Sequence, residues 1–244
     1  MCSPKLSKAV AVEDYCPLFN SSPAETSVIL GSCHGIFLIG IYNPSRKPRD
    51  LHADSSVFME LYLWNPSTKE YRTLPAETLT KFSKDQKRYY YEDVYGFGYD
   101  PTNDDYKVIR IVCNYDITSK GYKTNCHVSE VHLYSLRANT CRMIDIPYFI
   151  HSPFQHKNNL VLGTFFNGAI HWFGNHILAT TDEFPWRIVS FDIAKEECKE
   201  IPQPDFDKSS LASIDLGVLE GCFCMYLNYY HFSSDYLDII MMKS

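Results

Sequence analysis

Hydrophobic and polar positions alternate along most of this chain with a period of two. "FMELYLW" (58–64), "DVYGFGY" (93–99), "SEVHLY" (129–134) and "WRIVSF" (186–191) are short runs rich in aromatic and β-branched residues. Such runs predict strands, because side chains two apart share one face of a sheet. No long segment shows a clean 3.6-residue period, so the expectation is an all-β protein.

The strands carry a repeat. Each run ends on an aromatic anchor: Trp64, Tyr99, Tyr134 or Phe191. Seven residues on stands Tyr71, Tyr106, Cys141 or Cys198; eight on stands a base, Arg72, Lys107, Arg142 or Lys199; ten on stands Leu74, Ile109, Ile144 or Ile201. The anchors are 35, 35 and 57 residues apart. Asn65-Pro66 and Asp100-Pro101 follow two of them and are the signature of a type I turn. Four similar hairpins are therefore predicted. A base on the return strand also discourages edge-to-edge pairing.

A second unit recurs in "GSCHGIFLIG" from Gly31, "GTFFNGAIHWFG" from Gly163 and "GVLEGCFCMYL" from Gly217. Each reads as two strands about a glycine (Gly35, Gly168 or Gly221) that supplies a positive φ. Taken in order, the hairpins give three complete four-stranded sets and the start of a fourth. Strand-only repeats of this size predict a β-propeller of four-stranded antiparallel sheets. A β-sandwich is the alternative, and the recurrence of one hairpin disfavours it. "SSDYLDIIMMKS" begins another strand and stops, so the ring is expected to be incomplete or open.

Composition agrees and narrows the function. Of the 244 residues, 45% are hydrophobic and 15% aromatic, enough for a sizeable core. A net charge of -6 argues against nucleic acid or an anionic membrane surface as the main partner. The longest apolar run, from Gly35, falls well short of the roughly 20 residues a membrane helix needs. Nine cysteines without a CxxC pair, and an N-terminus without a secretory apolar run, predict reduced thiols in the cytoplasm or nucleus.

Candidate chemistry is thin. Cys222, Cys224 and His231 are too few for a zinc site, and buried thiols are the simpler reading. "DPTNDDY" from Asp100 lacks the Gly and Glu of a calcium loop and reads as a turn. His34, His132 and His171 have no nucleophile in a known local signature. No catalytic residue, metal or cofactor is expected. Recognition is expected in the segments that do not repeat. Lys81, Lys84, Lys87 and Arg88 precede Tyr89, Tyr90 and Tyr91 in one predicted loop, with acids that offset the charge. Phe149 and Phe154 mark a second, and residues 43–56 form a third variable stretch. Tyr and Arg are frequent interface hot spots, so a protein partner is favoured.

"LYLWNPSTKEYRTLP", "VYGFGYDPTNDDYKVIRIV", "EVHLYSLRANTCRMID", "GAIHWFG", "RIVSFDIAKEECKEIP" and "LGVLEGCFCMYL" occur in one order. Together they resemble the F-box-associated interaction domain of plant F-box proteins, in both its kelch-related and S-locus groups. The resemblance runs from about Val28 to the C-terminus. It implies the substrate-recognition part of an SCF-type ubiquitin ligase, which holds a target protein for ubiquitination. An F-box would bring the Skp adaptor and cullin. S-locus relatives imply a ribonuclease target and kelch-type relatives an immune receptor. Residues 1–27 do not show the F-box pattern, so the chain is expected to hold residues 28–244 as the interaction domain, shortened at its C-terminus.

Overall fold

The computed structural model describes residues 26–42, 59–75, 89–117, 123–151, 160–176, 187–230 and 236–242. They form strands and turns, and none of them is helical. Blade 1 is β1 (Thr26–Cys33), β2 (Ile36–Tyr42), β3 (Met59–Asn65) and β4 (Glu70–Thr73), paired in that order. Blade 2 is β5 (Tyr89–Asp100), β6 (Asp105–Ile117), β7 (Lys123–Ser135) and β8 (Thr140–Met143). Two short strands follow, β9 (Tyr148–Ile150) and β10 (Leu160–Leu162). Blade 3 is β11 (Thr164–Phe166), β12 (Ala169–His176), β13 (Arg187–Asp192) and β14 (Glu197–Ile201). Blade 4 has three strands, β15 (Leu211–Leu219), β16 (Cys222–Tyr229) and β17 (Tyr236–Met241). Sequential strands within each blade are antiparallel. β9 extends the inner position of blade 3 by pairing with β12, and β10 adds to β5 in parallel.

The repeat offsets have a local cause. Asn65 pairs with Glu70, Asp100 with Asp105, Ser135 with Thr140 and Asp192 with Glu197, so each anchor hairpin closes on four residues. The residue after the anchor caps the turn. Asn65 Oδ1 accepts the Ser67 N–H at 3.0 Å, Asp100 Oδ1 that of Thr102 at 2.9 Å and Asp192 Oδ1 that of Ala194 at 3.0 Å. Ser135 Oγ accepts the Ala138 N–H at 3.1 Å. These Asx- and Ser-type turns are closed by a side chain mimicking the backbone. The proline signature marks two of the four, and the capping oxygen marks all four. The last turn residue is left-handed each time: Lys69, Asp104, Asn139 and Glu196 have φ of 60°, 51°, 52° and 60°.

The glycine hairpins use a different turn. His34-Gly35, Asn167-Gly168 and Glu220-Gly221 all have positive φ at both residues, for example 48° and 77° in the first. That is a type I′ turn, whose twist matches the flanking strands. Asn-Gly is the favoured pair for it, and the His-Gly and Glu-Gly copies depart from that preference.

Blades pack through alternating faces. Each anchor points back toward the preceding blade, and the residue before it points forward. Leu38, Leu61, Leu63 and Leu74 of blade 1 thus meet Tyr95, Phe97, Val108 and Tyr134 of blade 2. Val94, Ile109, Ile111 and Leu133 of blade 2 meet Ile170, Trp172, Val189 and Phe191 of blade 3. Phe173 and Ile188 of blade 3 meet Phe223, Met225 and Leu227 of blade 4. The back face of blade 1, with Ile39, Ile41 and Trp64, is a separate buried cluster. The second junction is close. A Cβ on Gly98 would lie 2.3 Å from Ile193 Cδ1, so glycine there lets blade 3 approach the β5 backbone. Trp172 Nε1 donates to the Tyr95 carbonyl at 3.1 Å across the same junction.

The forward face of blade 4 is different. Leu219, Leu237, Ile239 and Met241 are 39%, 52%, 41% and 46% exposed, and no described strand pairs with the free edge of β17. The propeller is therefore open among the described residues.

Candidate protein-interaction surfaces

The topology gives the molecule two unlike ends. The hairpin turns gather at one. His34, in the first glycine turn, packs on Tyr99 at 5.0 Å between ring centroids and on Phe165 at 6.4 Å, which brings the turns of blades 1, 2 and 3 together. Phe166 stacks on Phe223 and adds the turn of blade 4. The pairings Tyr42 to Met59, Ile117 to Lys123 and Tyr229 to Tyr236 lie at the other end.

At the turn end, the repeated bases reach across junctions. Arg72 on β4 donates to Asn139 Oδ1 in the blade 2 turn at 3.0 Å, and the Tyr134 hydroxyl donates to the same oxygen. Lys107 Nζ on β6 lies 2.8 Å from Asp100 Oδ2 and 3.1 Å from Glu196 Oε1 in the blade 3 turn, and it also donates to the Ile193 carbonyl. Arg142 on β8 pairs with the other oxygen of Glu196. Burial alone would raise the Asp100 and Glu196 carboxyls. Bonds from Lys107 and Asn103 to Asp100, and from Arg142 and Lys107 to Glu196, outweigh it and hold both below the usual carboxylate range. Asp105 accepts from Ser135 Oγ and the Arg137 N–H. These side chains saturate one another, so this end is a tied scaffold. Three of the four bases that sequence reasoning placed on return strands, Arg72, Lys107 and Arg142, are blade-to-blade ties, a role that depends on contacts 67, 89 and 54 residues apart.

Toward the other end, Arg110 on β6 makes two bonds to Asp93 Oδ1, at 2.7 and 3.1 Å, with both side chains largely buried between blades 1 and 2. His132 follows in the same cross-strand row, with Nε2 at 2.8 Å from Glu130 Oε2.

Of the histidines and thiols singled out in the sequence, His132, His171 and Cys224 are buried, while His34 and Cys222 are exposed. His171 is buried against Phe223, with Nδ1 3.2 Å from the Thr164 carbonyl. Burial lowers its pKa to about 4, and Lys199 adds to the lowering, so the ring is neutral at pH 7. Burial pushes the Cys33 thiol up to about 12 and the Cys198 thiol up to about 11. Such thiols are poor nucleophiles. Cys224 donates to the Gly217 carbonyl at 3.4 Å, Cys222 is exposed, and His231 lies outside the described residues. "DPTNDDY" is the capped hairpin turn of blade 2.

Lys81, Lys84, Lys87, Arg88 and Phe154 lie outside the described residues. Tyr89, Tyr90 and Tyr91 do not belong to a loop: they are strand β5, paired with Asp116, Tyr115 and Asn114. β6 is long enough to extend the hairpin past the polar row, which carries the three tyrosines into the sheet. Phe149 is likewise in a strand, half-buried in β9 opposite Asn175. A three-residue strand is too short to show alternation, so it read as loop.

The strand β10 was not foreseen either. It lies beside a cavity of about 990 Å³ at the centre of the blades. The cavity is lined by residues 28–34 of β1, by 160–167 and by Ile214, Asp215, Leu216 and Val218 of β15. No helix of the described residues is long and apolar enough to cross a membrane.

Three four-stranded blades and a three-stranded fourth, built on recurring hairpins and left open, make a β-propeller architecture. The family model of the F-box associated beta propeller domain matches residues 24–221, and the chain belongs to that family. It is similar to F-box protein CPR1 of Arabidopsis thaliana, 31% identical over 93% of this chain and 50% of that protein. It is also similar to an F-box/kelch-repeat protein of the same plant, 28% identical over 81% of this chain and 44% of that protein. The chain spans about half the length of the curated relatives it matches.

Proposed function

We propose that this chain is the target-binding part of an SCF-type ubiquitin ligase and acts by holding a protein for ubiquitination. Membership of the F-box-associated propeller family carries the reading. The architecture supports it. The repeat positions form ties and core, while the segments between the hairpins do not repeat in sequence. The basic and aromatic side chains Lys81, Lys84, Lys87, Arg88 and Tyr89–Tyr91 and the aromatics Phe149 and Phe154 are the recognition candidates. The partners on this reading are the target, with the Skp adaptor and cullin brought by an F-box. Residues 28–244 serve as the interaction domain, in the cytoplasm or nucleus.

Immunoprecipitation of the full-length protein from plant cells, with the proteasome inhibited, tests this. The expected result is recovery of the Skp adaptor, cullin and a ubiquitinated target, and loss of the target when Lys84, Lys87 and Arg88 become Glu. Recovery of neither adaptor nor cullin would sink the ligase reading. The identity of the target separates the two expected classes, a ribonuclease or an immune receptor.

A further inference from the structure

The central cavity is walled by strand edges. Side chains of consecutive strand residues point to opposite faces, so a cavity fronted by every residue of a run meets the backbone of that strand. Residues 28–34 and 160–167 line it in this unbroken way. β1 pairs with β2 alone among the described strands, which leaves its inner edge facing the space. Among the described residues the walls carry no Lys or Arg, and Asp215 is their one carboxylate. Leu162 and Val218, each 43% exposed, present apolar side chains to it.

The fold already uses one such edge. Leu160–Leu162 is seated on the inner edge of β5 as an added parallel strand, in register with Asp93, Val94 and Tyr95. A three-residue strand with no hairpin of its own is held there by backbone bonds and by Val161, which is buried. The edge of β1 faces the same cavity and pairs with no such strand among the described residues.

We propose that this groove docks an extended, uncharged peptide segment, which adds as a strand to the inner edge of β1. Main-chain bonds to unpaired N–H and C=O groups supply affinity, and alternate side chains read the apolar walls between Leu162 and Val218. The absence of cations and the single carboxylate disfavour a charged strand, because burying an unpaired charge is costly. The site deepens the interaction role proposed above by naming where a target segment enters.

The test uses the full chain and acetylated heptapeptides of alternating Val and Thr, followed by fluorescence anisotropy and amide hydrogen exchange. Binding is expected, with new protection in β1. Methylating alternate peptide nitrogens removes donors and should weaken binding about tenfold. Val218→Lys should weaken it by a similar factor, while Leu237→Lys on the open face of blade 4 should not change it. Absence of binding, equal binding of the methylated peptide, or protection appearing in β17 instead of β1 would overturn the proposal. A target that co-purifies equally with wild type and Val218→Lys would remove the groove but leave the interaction role standing.

Discussion

The junction between blades 2 and 3 and the forward face of blade 4 are built from the same repeat and behave oppositely. At the junction, Ile109, Leu133 and Trp172 are buried, and Lys107 and Arg142 converge on Glu196 above them. On blade 4, the equivalent forward positions of the third strand, Leu237 and Ile239, are 52% and 41% exposed. Both have hairpins of good local chemistry. The difference is whether a neighbouring sheet covers the forward face. A hairpin repeat secures strands and turns locally, but most stabilisation comes from burying apolar area between sheets.

Leu63 in blade 1 and Ile239 in blade 4 test this with one substitution at forward positions. Leu63→Lys puts an unpaired charge into a sealed junction and should abolish cooperative folding. Ile239→Lys should change stability by no more than about 0.5 kcal/mol by urea denaturation and raise solubility. Equal losses would remove the contrast. Trp172→Ala, also in a sealed junction, should cost about 3–5 kcal/mol.

The ionic ties divide by burial. Lys107→Met leaves the fully buried Asp100 carboxylate without its cation and should cost about 3–5 kcal/mol. Arg142→Met removes an exposed tie and should cost less than about 1 kcal/mol. Because Asp100 and Glu196 have lowered pKa values, their contribution is complete above the ordinary carboxylate range and is lost as pH falls through the lowered values. Acid titration of Lys107→Met should lose the part of that dependence that Lys107 supplies, while Arg142 on Glu196 and the Asn103 and Thr102 bonds to Asp100 keep the rest.

The junction of blades 3 and 4 is sealed but carries His171. Its pKa falls from 6.5 to about 4, so below pH 6.5 the unfolded chain takes up the proton first. Stability should be full above pH 6.5 and decline toward pH 4, by on the order of 3 kcal/mol in all. His171→Gln should flatten that slope. A small effect is expected in the turn of blade 4. Glu220→Asn restores the preferred type I′ pair before Gly221 and should stabilise by about 0.5 kcal/mol.

Much of the fold was legible because the hairpin repeat is local. The anchor, the capping oxygen and the base lie within ten residues of one another, so their spacing exposes the hairpins and their number exposes the blades. The blade-to-blade partners were not legible, because Arg72 and Asn139 meet only after two sheets pack. β9 and β10 were missed because three residues cannot show a period. The tyrosines 89–91 read as loop because the basic stretch before them masks the start of β5. The recognition candidates lie in segments without repeats, where spacing carries no information.

Amide hydrogen exchange of the full chain measures the contrast between sealed and open junctions most directly. Exchange in β6 and β13 should approach the rate of global unfolding, while β17 exchanges faster by orders of magnitude through local opening. Protection of β17 equal to that of β6 would show that its edge and forward face are covered, and would contradict an open fourth blade.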